Sequence, residues 1–284
     1  MRAFSLSLLY TGLLVVGEAV SGCHGKSSDC VDASIIAHTG EPLGKEVQYS
    51  NVTIYVAKPD PENPRTKPRA GIVLIYLSDI FGLGIPENKL LADSYARAGY
   101  LTVVPDLFDG SPAPSDLNTP GFNLTAFLEA HEPAVIDPII AAAFGYARER
   151  LNATRFATPG YCFGGRHAFR VLSSLLSDHA DVAFAAHPTL LGLDEVASAD
   201  KPAALATAEN DEYLDGDARL ALEKALAAAG YPYQVNLYSG TEHAFGVRVP
   251  LDDPEQKYAK EEAFSQAVRW FDRFLVKGTE GEAE

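Results

Sequence analysis

Three side chains in this chain can together attack a carbonyl covalently. Cys162 lies in Gly160-Tyr161-Cys162-Phe163-Gly164-Gly165, Asp211 closes Glu209-Asn210-Asp211, and His243 opens His243-Ala244-Phe245-Gly246. A thiol is a good nucleophile once ionised, so it needs a partner that takes its proton or favours its anion. His243 suits that role, and Asp211 suits the task of holding the other ring nitrogen in a fixed tautomer and orientation. Glu209, Glu212 and Asp215 compete with Asp211 in the same acidic loop, and position in the strand–loop geometry favours Asp211. The bland alternative for a glycine-flanked cysteine is an inert packing thiol. Against it stand the aspartate and histidine that follow in order. The Phe163 backbone N–H, next after the nucleophile, and the Ile80 N–H, in the turn Asp79-Ile80-Phe81, are the expected donors to a developing oxyanion. Asp79 reads either as a turn or helix-start residue or as an acidic neighbour that tunes thiol protonation.

These residues need a scaffold that presents them together. Arg155 to Pro159 is β-like and Arg166 to Leu176 can be helical, so Cys162 sits on a sharp strand-to-helix turn whose small neighbours let backbones pass closely. Gly71 to Leu77 is almost wholly apolar, as a parallel strand covered on both faces requires. Tyr100 to Val104, Val182 to Ala186, Ala203 to Ala208 and Gln234 to Tyr238 supply further strands, and Val47 to Ala57 an outer one. Helices are expected over Ile85 to Ala98, Gly216 to Ala229 and Pro254 to Phe274. Leu124 to Glu149 reads as one kinked helix or two shorter ones, because Pro133 and Pro138 interrupt it. The proline-rich stretch from Ser111 to Gly121 is a long loop suited to a pocket wall. The result is a single α/β domain, a doubly wound and mostly parallel sheet flanked by helices. Its working loops lie at the carboxyl ends of the strands, which brings Asp79, Cys162, Asp211 and His243 to one rim. The order nucleophile, acid, histidine is that of the α/β-hydrolase fold. His187, before Pro188 at a strand end, faces the same rim, either touching the pocket or hydrogen-bonded structurally.

Composition narrows the partners. The chain has 284 residues, 47% of them hydrophobic, and 23 Lys and Arg against 38 Asp and Glu give a net charge of −15. That balance argues against nucleic acid, whose phosphates call for concentrated positive charge. Residues 1–22 carry one basic residue, an apolar stretch and then small residues, the plan of a secretory signal peptide cleaved between Ala19 and Gly22. The stretch is short for a stable membrane anchor. Residues 23–284 then form the mature domain, with an N-terminal extension to about residue 40. An oxidising route predicts a disulfide between Cys23 and Cys30 and leaves Cys162 unpaired. Sequons at Asn51, Asn123 and Asn152 fit extracellular localisation. No metal pattern of compact spacing is present, the chemistry calls for no cofactor, and no heptad pattern argues for assembly.

The chain resembles the dienelactone hydrolase family, especially its secreted fungal members, from about Gly40 to Leu275. The resemblance rests on the Cys162 hexapeptide, the Asp79-Ile80-Phe81-Gly82 turn, Val104-Pro105-Asp106-Leu107-Phe108 and His243-Ala244-Phe245. It implies a Cys162, His243, Asp211 triad acting on a small ester or lactone of dienelactone type through an acyl-thioester, a small carboxylated or aromatic ester being favoured over a long lipid chain. The family's thiol-activating glutamate falls on Asp79. Where the family carries a carboxylate-binding arginine, this chain reads Phe108-Asp109-Gly110, leaving Arg248 and, more weakly, Arg166 as cations near a substrate. Tyr161, Phe163, Phe108 and Phe245 offer the pocket an apolar or aromatic lining, with core packing the commoner use of each. The alternatives are a thiol hydrolase of another carbonyl, such as a thioester or amide, and a catalytically weak secreted binding protein.

Overall fold

The computed structural model describes residues 35–62 and 69–276. The expected leader peptide, its expected cleavage site and the expected Cys23–Cys30 pairing lie outside these residues. The chain opens with an antiparallel hairpin, β1 (Lys45–Tyr49) and β2 (Val52–Ala57), rather than the single outer strand expected there. Ser50 and Asn51 form its tip, both with positive φ (49° and 63°), a two-residue turn whose twist matches that of paired strands. Asn51 is therefore an exposed turn residue and not part of a strand.

Six more strands complete one sheet: β3 (Ile72–Ile75), β4 (Leu101–Pro105), β5 (Arg155–Tyr161), β6 (Val182–Ala186), β7 (Ala203–Asn210) and β8 (Tyr233–Glu242). Their order is β1-β2-β4-β3-β5-β6-β7-β8, antiparallel at the hairpin and at β2–β4 and parallel from β4 onward. The helices are α1 (Pro86–Arg97), α2 (Leu124–Ala130), α3 (Pro133–Leu151), α4 (Phe163–Arg170), α5 (Leu193–Ser198), α6 (Gly216–Ala229) and α7 (Pro254–Phe271).

Strand alternation sends residues to two cores. Val73, Ile75 and Leu77 join Ile140 and Phe144 of α3, Phe169 of α4 and Leu222 and Leu226 of α6. Ile72, Leu74 and Tyr76 join Leu91 and Tyr95 of α1 and Phe264 and Phe271 of α7. Successive side chains point to opposite faces, so an unbroken apolar run is what a strand between two helical layers needs. Each fully buried Leu, Ile or Phe contributes roughly 1.5–3 kcal/mol. The Leu124–Glu149 region is two helices: Asn123 caps α2, accepting from the Ala126 N–H, and Pro133 takes the first turn of α3, where its missing donor costs nothing. Residues 35–38 pack onto the domain. Ile36 is buried, the Ala37 N–H donates to Ser94 Oγ, and His38 pairs with Glu261 of α7.

Candidate active site

The turn between β5 and α4 consists of Cys162 alone, at φ 52° and ψ −115°. That conformation is costly for a side-chain-bearing residue, and the surroundings hold it. The Cys162 N–H donates to Ala186 O, while the Gly165 and Thr189 N–H groups both donate to Cys162 O. The glycines are obligatory: a Cβ on Gly164 would stand 2.1 Å from Leu77 O, and one on Gly160 would stand 2.4 Å from Gly164 O. They let α4 start directly against the β3 exit, and the Gly164 N–H donates to Ser78 O there. Cys162 carries a free thiol and is 8% exposed, at the wall of a cavity of about 200 Å³. Among the described residues, no acceptor takes the Phe163 N–H or the Ile80 N–H.

Asp211 follows β7 and His243 follows β8. His243 Nδ1–H donates to both Asp211 oxygens, at 2.9 and 3.0 Å, and Asp211 Oδ1 also accepts from the Tyr213 N–H. The Asp211 side chain is fully buried and His243 is 13% exposed. The other acids of that loop are engaged elsewhere or solvated: Glu209 accepts from Ser239 and Gly240, Asp215 caps α6, and Glu212 is exposed. Burial opposes charge on His243, yet the hydrogen bond to Asp211 and the neighbouring Cys162 sulfur outweigh it and push its pKa up to about 10. Thr189, absent from the residues singled out in the sequence, sits between the Cys162 thiol and the His243 ring. Its Oγ1 is 3.4 Å from Cys162 Sγ and 3.4 Å from His243 Nε2. No motif signals it; only the β6 exit puts it there.

His187 fits neither expectation. It is wholly buried, does not line the cavity, and neither ring nitrogen finds a partner on another described residue. Its ring packs edge-on to His243, with centroids 5.0 Å apart, and burial followed by the His243 charge holds its pKa well below the usual value. Tyr213 covers another side of His243 at 4.7 Å.

Asp79 is 1% exposed and lines the same cavity. Its Oδ1 accepts from the Phe81 N–H and from Asn88 Nδ2, and Asn88 is anchored in turn by the Tyr76 hydroxyl. Among the described residues its Oδ2 faces only the Arg248 guanidinium, 3.5 Å away. Burial raises its carboxyl above the usual carboxylate range, opposed by the Arg248 charge and the Asn88 hydrogen bond. Arg248 also lies over the Phe81 ring, 4.2 Å from its centroid.

The expected aromatic lining is not what the structure shows. Tyr161 points to the opposite sheet face from its neighbour and bonds the Tyr95 hydroxyl at 2.6 Å in the α1/α7 core. Phe245 is buried there too, against Tyr238 and His187. Phe108 and Phe163 pack against each other with tilted rings, centroids 5.5 Å apart, in the other core. The cavity is walled instead by Ile80, Phe81, Leu117, Leu124 and Leu128 on the apolar side, with Thr189, Glu212, Tyr213 and Arg248. Arg166 is bound to Glu195 and takes no part. Among the described residues, no group of three His, Cys, Asp or Glu is arranged to hold a metal.

The dienelactone hydrolase family profile matches residues 52–275, which include every residue of this cavity. The chain belongs to the dienelactone hydrolase family. It is 37% identical over 251 residues to hydrolase pyvD of Aspergillus violaceofuscus, covering 88% of this chain and 98% of that one. It is 31% identical to dienlactone hydrolase 1 of Gibberella moniliformis, covering 84% and 91%. The crystal structure of a dienelactone hydrolase from Anabaena variabilis shares the fold, with a TM-score of 0.56 at 16% identity over 83% of this chain and all of that one. This family member is a hydrolase on an α/β-hydrolase scaffold.

Proposed function

We propose that the protein hydrolyses small esters or lactones through Cys162, His243 and Asp211, by way of an acyl-thioester. The observation that carries this reading is the shared cavity wall: the free Cys162 thiol and the His243 ring border one space, and buried Asp211 grips the far ring nitrogen twice. The raised pKa of His243 favours a protonated ring, held at Nδ1 by Asp211 and bordering the same cavity as the Cys162 sulfur.

In the first step Cys162 Sγ bonds to the substrate carbonyl carbon, and the carbonyl electron pair moves onto oxygen. The Phe163 and Ile80 N–H groups receive that oxyanion. Collapse breaks the bond to the leaving oxygen, which takes the proton from His243 Nε2. Water then enters, gives a proton to His243 and attacks the thioester, and the carbon–sulfur bond breaks to return the resting pair. Asp79 tunes the resting thiol through the cavity they share. The leader peptide and three exposed sequon asparagines, Asn51, Asn123 and Asn152, support a secreted glycoprotein.

The test is iodoacetamide labelling of Cys162 together with turnover of p-nitrophenyl acetate. Labelling at this residue and loss of turnover in Cys162→Ala are expected. Failure of both in the wild type across a broad pH range would favour a binding protein that keeps the fold.

A further inference from the structure

The cavity's walls say which esters fit. Leu124 and Leu128 stand four residues apart on one face of α2, and Leu117 reaches in from the proline-rich loop. All three are half-buried, so each keeps apolar surface that the protein itself leaves uncovered. Ile80 and Phe81 extend the same surface. At about 200 Å³ the space is below the roughly 300–1,000 Å³ of sites for drug-sized ligands, and it suits a group of single-ring size.

The charges point the same way. Outside the reacting triad, the cavity is lined by two acids, Asp79 and Glu212, and one base, Arg248. Arg248 already faces Asp79 Oδ2 at 3.5 Å and covers the Phe81 ring. Asp79 is pinned by the Phe81 N–H and Asn88, so it cannot turn away without breaking both bonds. A carboxylate on the substrate would have to compete with a buried anion for this cation, with Glu212 adding a second repulsion. The chain's net charge of −15 adds to the cost of bringing an anion up.

We propose that the site selects uncharged esters or lactones with an apolar ring face and discriminates against substrates that bear a carboxylate. This rests on the hydrolase reading above for its chemistry, but not for its binding preference. The probes are 4-acetoxybenzamide and 4-acetoxybenzoate, which have nearly the same shape and differ by one negative charge. Affinity is measured in Cys162→Ala, where no turnover intervenes, and kcat/KM in the wild type. The amide is expected to bind about tenfold more tightly than the carboxylate at low ionic strength, the gap shrinking with salt because Glu212 is exposed. Glu212→Gln, a surface change, is expected to narrow the gap about threefold. Equal or tighter binding of the carboxylate, or a gap that neither salt nor Glu212→Gln alters, would overturn the proposal. Absence of turnover with both probes, while the amide still binds better, would instead strike at the hydrolase reading and leave this preference standing.

Discussion

Replacing Asp211 by Asn removes the anion that holds His243 while leaving its volume almost unchanged. The raised His243 pKa of about 10, against an ordinary 6.5, corresponds to about 5 kcal/mol of preference for the charged ring, and Asp211 is the first of the contributions that raise it. A hydrogen bond to a charged group contributes roughly 1.5–3 kcal/mol, and a loss of that order is expected in Asp211→Asn. The sign follows from linkage. A histidine whose folded pKa is raised stabilises fully below its unfolded value and loses that stabilisation as pH climbs through the folded one. Urea unfolding should thus separate wild type from Asp211→Asn most at about pH 6 and bring them together near pH 10. Asparagine can also donate to Nδ1 and so select the wrong tautomer, for which a loss of roughly 10³–10⁴ in kcat is expected on p-nitrophenyl acetate. A variant within tenfold of wild type in kcat, or a stability difference that does not change with pH, would refute this account of the pair.

Three further outcomes follow from the geometry. Thr189→Val keeps the shape but removes the hydroxyl that lies 3.4 Å from both Sγ and Nε2, so the rate of Cys162 alkylation at neutral pH should fall several-fold; Thr189→Ser should restore it, and equal rates in all three would show the hydroxyl to be idle. Gly164→Ala drives a methyl group into the Leu77 carbonyl and should cost about 3 kcal/mol or more, whereas Gly216→Ala, which meets nothing within 4 Å, should leave the thermal midpoint within a few degrees. Asp79→Asn removes a buried carboxylate whose pKa is raised, a group that favours folding less as pH rises past the ordinary carboxylate range; its stability relative to wild type should improve from pH 3 to pH 7, and an unchanged pH profile of alkylation would argue that Asp79 does not tune the thiol.

Period and punctuation made the sheet legible. Apolar runs marked β3 and β6, and the glycines around Cys162 marked the elbow, because each has one steric use. The hairpin was harder to read, since nothing in Ser50-Asn51 distinguishes a turn from the middle of an alternating strand until two positive φ angles are seen. Helix α5 went unseen because it has six residues and is held by the Glu195 side chain accepting from the Gly192 N–H, a local device with little periodicity. In the site, residues fixed by turn chemistry were legible and those fixed by packing were not. Tyr161 and Phe245 neighbour reactive residues in sequence, yet alternation and a tight turn send them to the core, while Thr189 and the leucines of α2 arrive through tertiary placement.

The central claim is that Cys162 forms a bond to the acyl group of the substrate. Rapid acid quench of enzyme mixed with p-nitrophenyl acetate, followed by peptide mass spectrometry, reads that bond directly. One acetyl group on the peptide containing Cys162, absent from Cys162→Ala, is the predicted result. Turnover that continues in Cys162→Ala, or an acetyl group carried at any other residue during turnover, would contradict it.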